Sequence, residues 1–239
     1  MKKSILILSL TALMFISACS DSTSPESNNP PAAAVAVPEF TTAISEGNND
    51  PNAQSVKTTV ENFSAFFALG EAFENIDQYN WEKTGDTWTY SETEGNLTTT
   101  VTITETSDGY EFKIIISGTD EYGNTMSGTL LEAYAAKDGT SGYWRFYDTS
   151  ENPSKLFFSY TWQVDANQTI TATMKLYDND GSVLSQTDLT INSDKSGNYT
   201  TKNGNGETMQ TATWNADGSG SMTTYYTDPP TTVTWGPNP

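Results

Sequence analysis

Residues 155–165, KLFFSYTWQVD, decide the fold. Leu156, Phe158, Tyr160, Trp162 and Val164 fall on one parity, and Ser159, Thr161, Gln163 and Asp165 on the other. Successive side chains of a strand point to opposite faces, so this period of two puts an apolar set against a core and a polar set toward water. A strand covered on one face only belongs to an antiparallel sheet. Residues 97–104, LTTTVTIT, repeat the pattern, with Leu97, Thr99, Val101 and Ile103 on the inner parity and four threonines on the outer.

Working outward, turn signals punctuate the chain at strand-length intervals: Glu94-Gly95, Asp108-Gly109, Tyr122-Gly123, Asp138-Gly139, Asn152-Pro153, Asp180-Gly181, Asn203-Gly204 and Asp217-Gly218. Such pairs read as hairpin connections, and the intervals between them give about 10–12 strands over residues 79–239. No second helical pattern is present to carry parallel crossovers. The expected fold is therefore mainly β, an antiparallel up-and-down meander, closed as a barrel or folded into a two-layer sheet. Its outer parity is Thr, Ser, Lys and Asp rather than an apolar band, which sets it apart from a membrane-spanning barrel. A barrel of more than about eight strands is too wide for its own side chains to fill, so it needs a ligand, a plug or a collapse into two layers.

A plug is at hand just upstream. In residues 50–76, DPNAQSVKTTVENFSAFFALGEAFENI, Asp50 suits a helix cap, Pro51 suits the first turn, and Val56, Val60, Phe63 and Phe67 recur at helical spacing. This predicts one amphipathic helix within residues 50–78, rich in phenylalanine (Phe63, Phe66, Phe67, Phe73). Residues 19–49 are rich in Ser, Pro, Asn and Ala without a sustained period, which reads as a flexible tether.

The first 18 residues have a different character. Lys2 and Lys3 precede an apolar run from Ile5 to Ile16, which is too short for the roughly 20 residues of a spanning helix. This is the layout of a secretory signal. The run ends Ile16-Ser17-Ala18-Cys19, and Cys19 is the only cysteine in the chain. The tetrad resembles the lipobox of bacterial lipoproteins. That resemblance implies cleavage before Cys19, acylation of its thiol and new amino group, and attachment to a membrane through the lipid. Ser20 after the cysteine resembles the sorting signal for the outer membrane, so the expected location is the bacterial cell envelope, at the outer membrane. Several acyl chains make such an anchor stable where one would be marginal.

Composition then limits the function of the β domain. Eleven Lys and Arg face 30 Asp and Glu, a formal charge of -19. An overall field of that sign disfavours nucleic acid as a partner. The chain has no histidine, which removes Ser-His-Asp and Cys-His nucleophile systems and His-ligated zinc. No cofactor motif is present, and none is expected.

Two clusters invite a site. Arg145, the single arginine, sits in Gly142-Tyr143-Trp144-Arg145-Phe146-Tyr147-Asp148, beside the aromatic strand carrying Tyr160 and Trp162. A guanidinium among aromatic faces could orient an anionic or glycan ligand, so Tyr143, Trp144, Arg145, Tyr160 and Trp162 are the candidate ligand-binding residues. Asp178 and Asp180 lie in LYDNDG, but aligned as an EF-hand the sequence puts Leu176 and Thr187 where acidic ligands are required, so a hairpin turn is the better reading and no metal is assigned, with a cation loosely held between Asp178 and Asp180 as the alternative. Tyr79-Asn80-Trp81 is similar to the opening of the lipocalins without their glycine, and their ligand site is not carried over. The expectation is a non-catalytic domain that binds a neutral or apolar ligand or a protein partner. A structural or adhesive surface protein is the alternative, and a carboxylate-based glycan hydrolase comes third. A helix that fills the interior would remove the small-ligand version.

Overall fold

The computed structural model describes residues 29–31, 38–65, 79–150 and 153–238. Cys19 and the signal segment lie outside them. Among the described residues one helix, α1 (Pro51–Ala65), precedes thirteen strands: β1 (Glu82–Thr84), β2 (Thr87–Glu94), β3 (Asn96–Glu105), β4 (Gly109–Thr119), β5 (Thr125–Ala136), β6 (Ser141–Asp148), β7 (Lys155–Val164), β8 (Ile170–Tyr177), β9 (Val183–Ile191), β10 (Gly197–Asn203), β11 (Thr208–Trp214), β12 (Gly220–Thr224) and β13 (Thr231–Trp235). Every strand pairs antiparallel with its sequence neighbours, in the order β1 to β13. The meander is as expected. The closed barrel is not: this is one open sheet, in which β1 pairs with β2, β13 pairs with β12, and they do not pair with each other.

One turn recurs down the sheet and explains its regularity. In Asp120–Asn124, Asp165–Thr169, Asp178–Ser182, Asn192–Ser196, Asn203–Glu207 and Asn215–Ser219, the first residue's N–H donates to the fifth residue's carbonyl, and the fourth residue's N–H donates back to the first. The fourth position is left-handed in each: Gly123, Gln168, Gly181, Lys195, Gly206 and Gly218 all have positive φ. This is the three-residue hairpin loop, whose left-handed residue matches the twist of the flanking strands. Two of these turns carry no glycine at that position, so glycine dipeptides do not reveal them. This is one reason the strands number thirteen rather than about 10–12.

The apolar parity forms one continuous core. All six tryptophans are buried, and Phe158, Tyr160 and Trp162 of β7 point inward as their spacing requires. Leu156 does not continue that row, because a bulge opposite Phe146 and Tyr147 shifts the register and leaves Phe157 exposed. The helix lies on this inner side. Asp50 Oδ1 caps it by accepting from the N–H groups of Asn52 (2.8 Å) and Ala53 (3.3 Å). Ala53, Val56, Val60 and Phe63 form its fully buried face. α1 packs against β12 and β13, while Phe63 also meets Tyr160 of β7, with ring centroids 5.8 Å apart. Strands from the middle and the end of the sheet thus touch one helix, so the sheet is curled around it, as open sheets of this size must be. The predicted helix beyond Ala65, including Phe66, Phe67 and Phe73, lies outside the described residues.

The tether expected to run to residue 49 gives way to packed structure sooner. Phe40 and Ile44 are buried, and Ala43 N–H donates to the Lys195 carbonyl at 3.0 Å. Asn238, near the other end of the chain, accepts from Ser45 N–H (2.9 Å) and donates to the Ala43 carbonyl (2.7 Å). Two buried apolar side chains in an otherwise polar, proline-dotted stretch carry too weak a period to announce this, and long-range hydrogen bonds supply the rest.

Candidate functional site

The five residues singled out around Arg145 do not converge. Trp144, Tyr160 and Trp162 lie on the inner parity and are buried at 3%, 1% and 4% exposure, so they are core. Phe112 stacks near Trp144, Tyr160 stacks on Trp162, and burial drives the Tyr160 hydroxyl pKa strongly upward. Tyr143 and Arg145 lie on the opposite, outer face. Alternation along each strand divides this aromatic neighbourhood between two sides of the sheet.

The outer face around Arg145 is built by register. Cross-strand partners run Lys113 (β4), Glu132 (β5), Arg145 (β6), Ser159 (β7), Lys175 (β8), Gln186 (β9) and Lys202 (β10), a single row across seven strands. The next row carries Tyr134, Tyr143, Thr161, Thr173, Asp188 and Thr200. The Arg145 guanidinium lies 4.5 Å from the Tyr143 ring centre, and Tyr143 stacks near Tyr134 at 6.1 Å. Lys113 pairs with Glu132 at 3.3 Å, and Lys202 with Asp188 at 3.0 Å.

These pairs set the protonation of the face. Partial burial opposes charge on Glu132, but hydrogen bonds from Tyr147 (2.8 Å) and Lys113 outweigh it, so its carboxyl is held below the usual range. The same burial and the Glu132 carboxylate push the Tyr147 hydroxyl up to about 12. Asp188 is likewise held low against its burial by Lys202, Gln186 and Thr173. Beside the row, an open groove of ≈ 330 Å³ is lined on this face by Thr161, Gln163, Thr171, Thr173, Asp188 and Thr190. Hydroxyls, an amide and a carboxylate line it, and Arg145 and Lys175 stand one row away.

The sequence reading missed Lys113, Glu132, Lys175, Asp188 and Lys202. Each is an ordinary solvent-side strand residue in its own segment, and only the exact hairpin registers align them. Asp178 and Asp180 are accounted for by their own turn: the Asp178 carboxylate accepts from Asn179 N–H, and that of Asp180 from Ser182 N–H. Among the described residues no group of three acidic, cysteine or histidine side chains could hold a metal ion. No protein-family model and no curated protein sequence matches this chain.

Proposed function

We propose that this chain is a lipid-anchored protein of the bacterial cell envelope that works as a non-catalytic binding domain, and that it binds through the outer face of its sheet rather than through an interior cavity. The observation that carries this is the packing of α1: Val56, Val60 and Phe63 occupy the concave side with no exposed surface. A neutral or apolar small ligand enclosed by the sheet, as in a wide hollow barrel, would compete with that helix for the same space. The outer face instead offers an extended, wet surface with stacked tyrosines, paired charges and a polar groove, which suits a partner laid across the strands. Anchoring through Cys19 would hold that face near the membrane while leaving it accessible. None of the described helices is long and apolar enough to cross a bilayer, so attachment in this reading rests on the lipid.

Two experiments test the two halves. Metabolic labelling with a fatty-acid analogue is expected to mark the wild-type chain and not a Cys19→Ser variant; equal labelling of both rejects the anchor. A photo-crosslinking residue in place of Thr161, on the outer face, is expected to capture a partner in intact cells, whereas the same residue at exposed Glu82 on the edge strand is expected to capture none. No adduct at Thr161 rejects the outer-face reading.

A further inference from the structure

We infer that the row Lys113–Arg145–Lys175–Lys202 is a binding track for an acidic polysaccharide, one whose sugars carry carboxylates, laid across the strands on the outer face. This rests on the outer-face reading above and names its ligand class.

Three observations converge on it. First, the charge runs against the rest of the molecule. The whole chain has only 11 cationic residues against 30 anionic ones, yet four of the cations share one cross-strand row. Long-range repulsion of an anionic ligand by the remaining surface is screened beyond about 8 Å at physiological salt, whereas contacts within the row act at shorter range and are weakened less. Second, the spacing is regular. The cations stand on β4, β6, β8 and β10, every second strand, with Glu132, Ser159 and Gln186 between them. Two strand spacings are about 9.6 Å. That is close to the length of a disaccharide in an extended chain, so in a polyuronate whose successive sugars face opposite sides, every second carboxylate would meet a cation of the row.

Third, Arg145 is engaged differently from the two end cations. Lys113 and Lys202 are held by Glu132 and Asp188, which fixes the ends of the row. Arg145 is exposed and supported from below by the Tyr143 ring, an arrangement that presents its donors outward to a planar carboxylate. The neighbouring hydroxyls and amide of Thr161, Gln163, Thr171 and Thr173 suit the hydroxyls of a sugar. A protein strand would pair with backbone at a sheet edge, and this row lies at the centre of the sheet, on strands already paired on both sides.

The test uses the full chain, lipid-bearing and held in neutral detergent, run by affinity electrophoresis through gels containing polygalacturonate, neutral dextran or a single-stranded oligonucleotide. Retardation by polygalacturonate alone is expected, weakening as salt rises. Replacing Arg145 and Lys175 together by Gln should reduce that affinity at least about tenfold, since each charge-assisted contact is worth about that factor or more. The charge-matched pair Lys83→Gln and Lys137→Gln, off the row, should leave it unchanged. Equal retardation of the Arg145/Lys175 variant, equal retention by dextran, or stronger retention by the oligonucleotide overturns the inference. If polygalacturonate fails while Thr161 still crosslinks a partner in cells, the acidic-glycan assignment falls and the outer-face reading stands; if both fail, both are rejected.

Discussion

Glycines 142, 197 and 220 show how single residues hold this sheet in shape. A Cβ at Gly142 would overlap the Trp162 ring, one at Gly197 the Trp214 ring, and one at Gly220 the Trp235 ring. Each indole lies over backbone left bare by a glycine on the adjacent strand. Two of them also donate to the left-handed residue of a turn: Trp214 Nε1 to the Lys195 carbonyl at 2.7 Å, and Trp235 Nε1 to the Gly218 carbonyl at 2.8 Å. Gly197→Ala is accordingly expected to lower stability by about 1–3 kcal/mol through overpacking, read as a shift in the urea midpoint without a change in slope. A midpoint within error of wild type would mean that the indole moves aside at no cost. The unit formed by turn, glycine and tryptophan repeats in the chain itself, as Asn192 to Trp214 and again as Asn215 to Trp235. The sequence reading passed over this duplication because the two copies differ in length and share few identical positions between their ends.

At the scale of the element, α1 is where a local pattern and a long-range consequence meet. Asp50, Pro51 and the spacing of Val56, Val60 and Phe63 made the start and the buried face legible, because caps and helical periodicity are local signals. The destination of that face was not legible. It depended on whether a sheet of unknown closure would leave room inside, and only the assembled registers decide that. Phe63 now stands between Phe40, at 6.1 Å, and Tyr160, at 5.8 Å, with no exposed surface. Phe63→Ala should cost about 3–5 kcal/mol, the range for a buried aromatic that leaves a cavity. Chemical denaturation checks the size. Loss of near-ultraviolet dichroism at unchanged far-ultraviolet signal would show the helix detaching from a sheet that persists. A cost under about 1 kcal/mol would mean that the helix is only loosely seated. The strands were legible by the same contrast: period two gave their faces, while the bulge at Phe157 and the thirteen-strand count depended on turn details that residue type alone does not carry.

For the molecule as a whole, charge and the absence of histidine make a specific acid response. Asp120, Asp138, Asp165, Asp180, Asp194 and Asp217 each have a carboxyl pKa lowered chiefly by hydrogen bonds from their own turns. Glu132 and Asp188 on the outer face are lowered too. In every case the folded form binds its proton less readily than the unfolded form. The stability these groups contribute is therefore complete above about pH 4 and is lost as pH falls through their folded values. A protein with a formal charge of -19 also gains slightly as its other carboxylates begin to protonate, which relieves self-repulsion. With no histidine side chain to titrate, the melting temperature should be flat from about pH 6 to 8 and should fall steeply below about pH 4. Thermal melts followed by circular dichroism across pH 3 to 8 check both arms, and Asp188→Asn should flatten part of the acid limb. A melting temperature still rising at pH 3 would show that repulsion outweighs the turns.

The contact between residues 43–45 and Asn238 has a consequence for how the chain reaches this state. Nearest-neighbour hairpins can form in order as the polypeptide emerges, because each needs only the strand before it. Ser45 and Ala43 precede every strand, and Asn238, which secures them, follows β13, so the contact cannot form until all the strands between have been made. The segment leading into the helix must therefore wait until the whole sheet is present, so its docking follows the hairpins rather than preceding them.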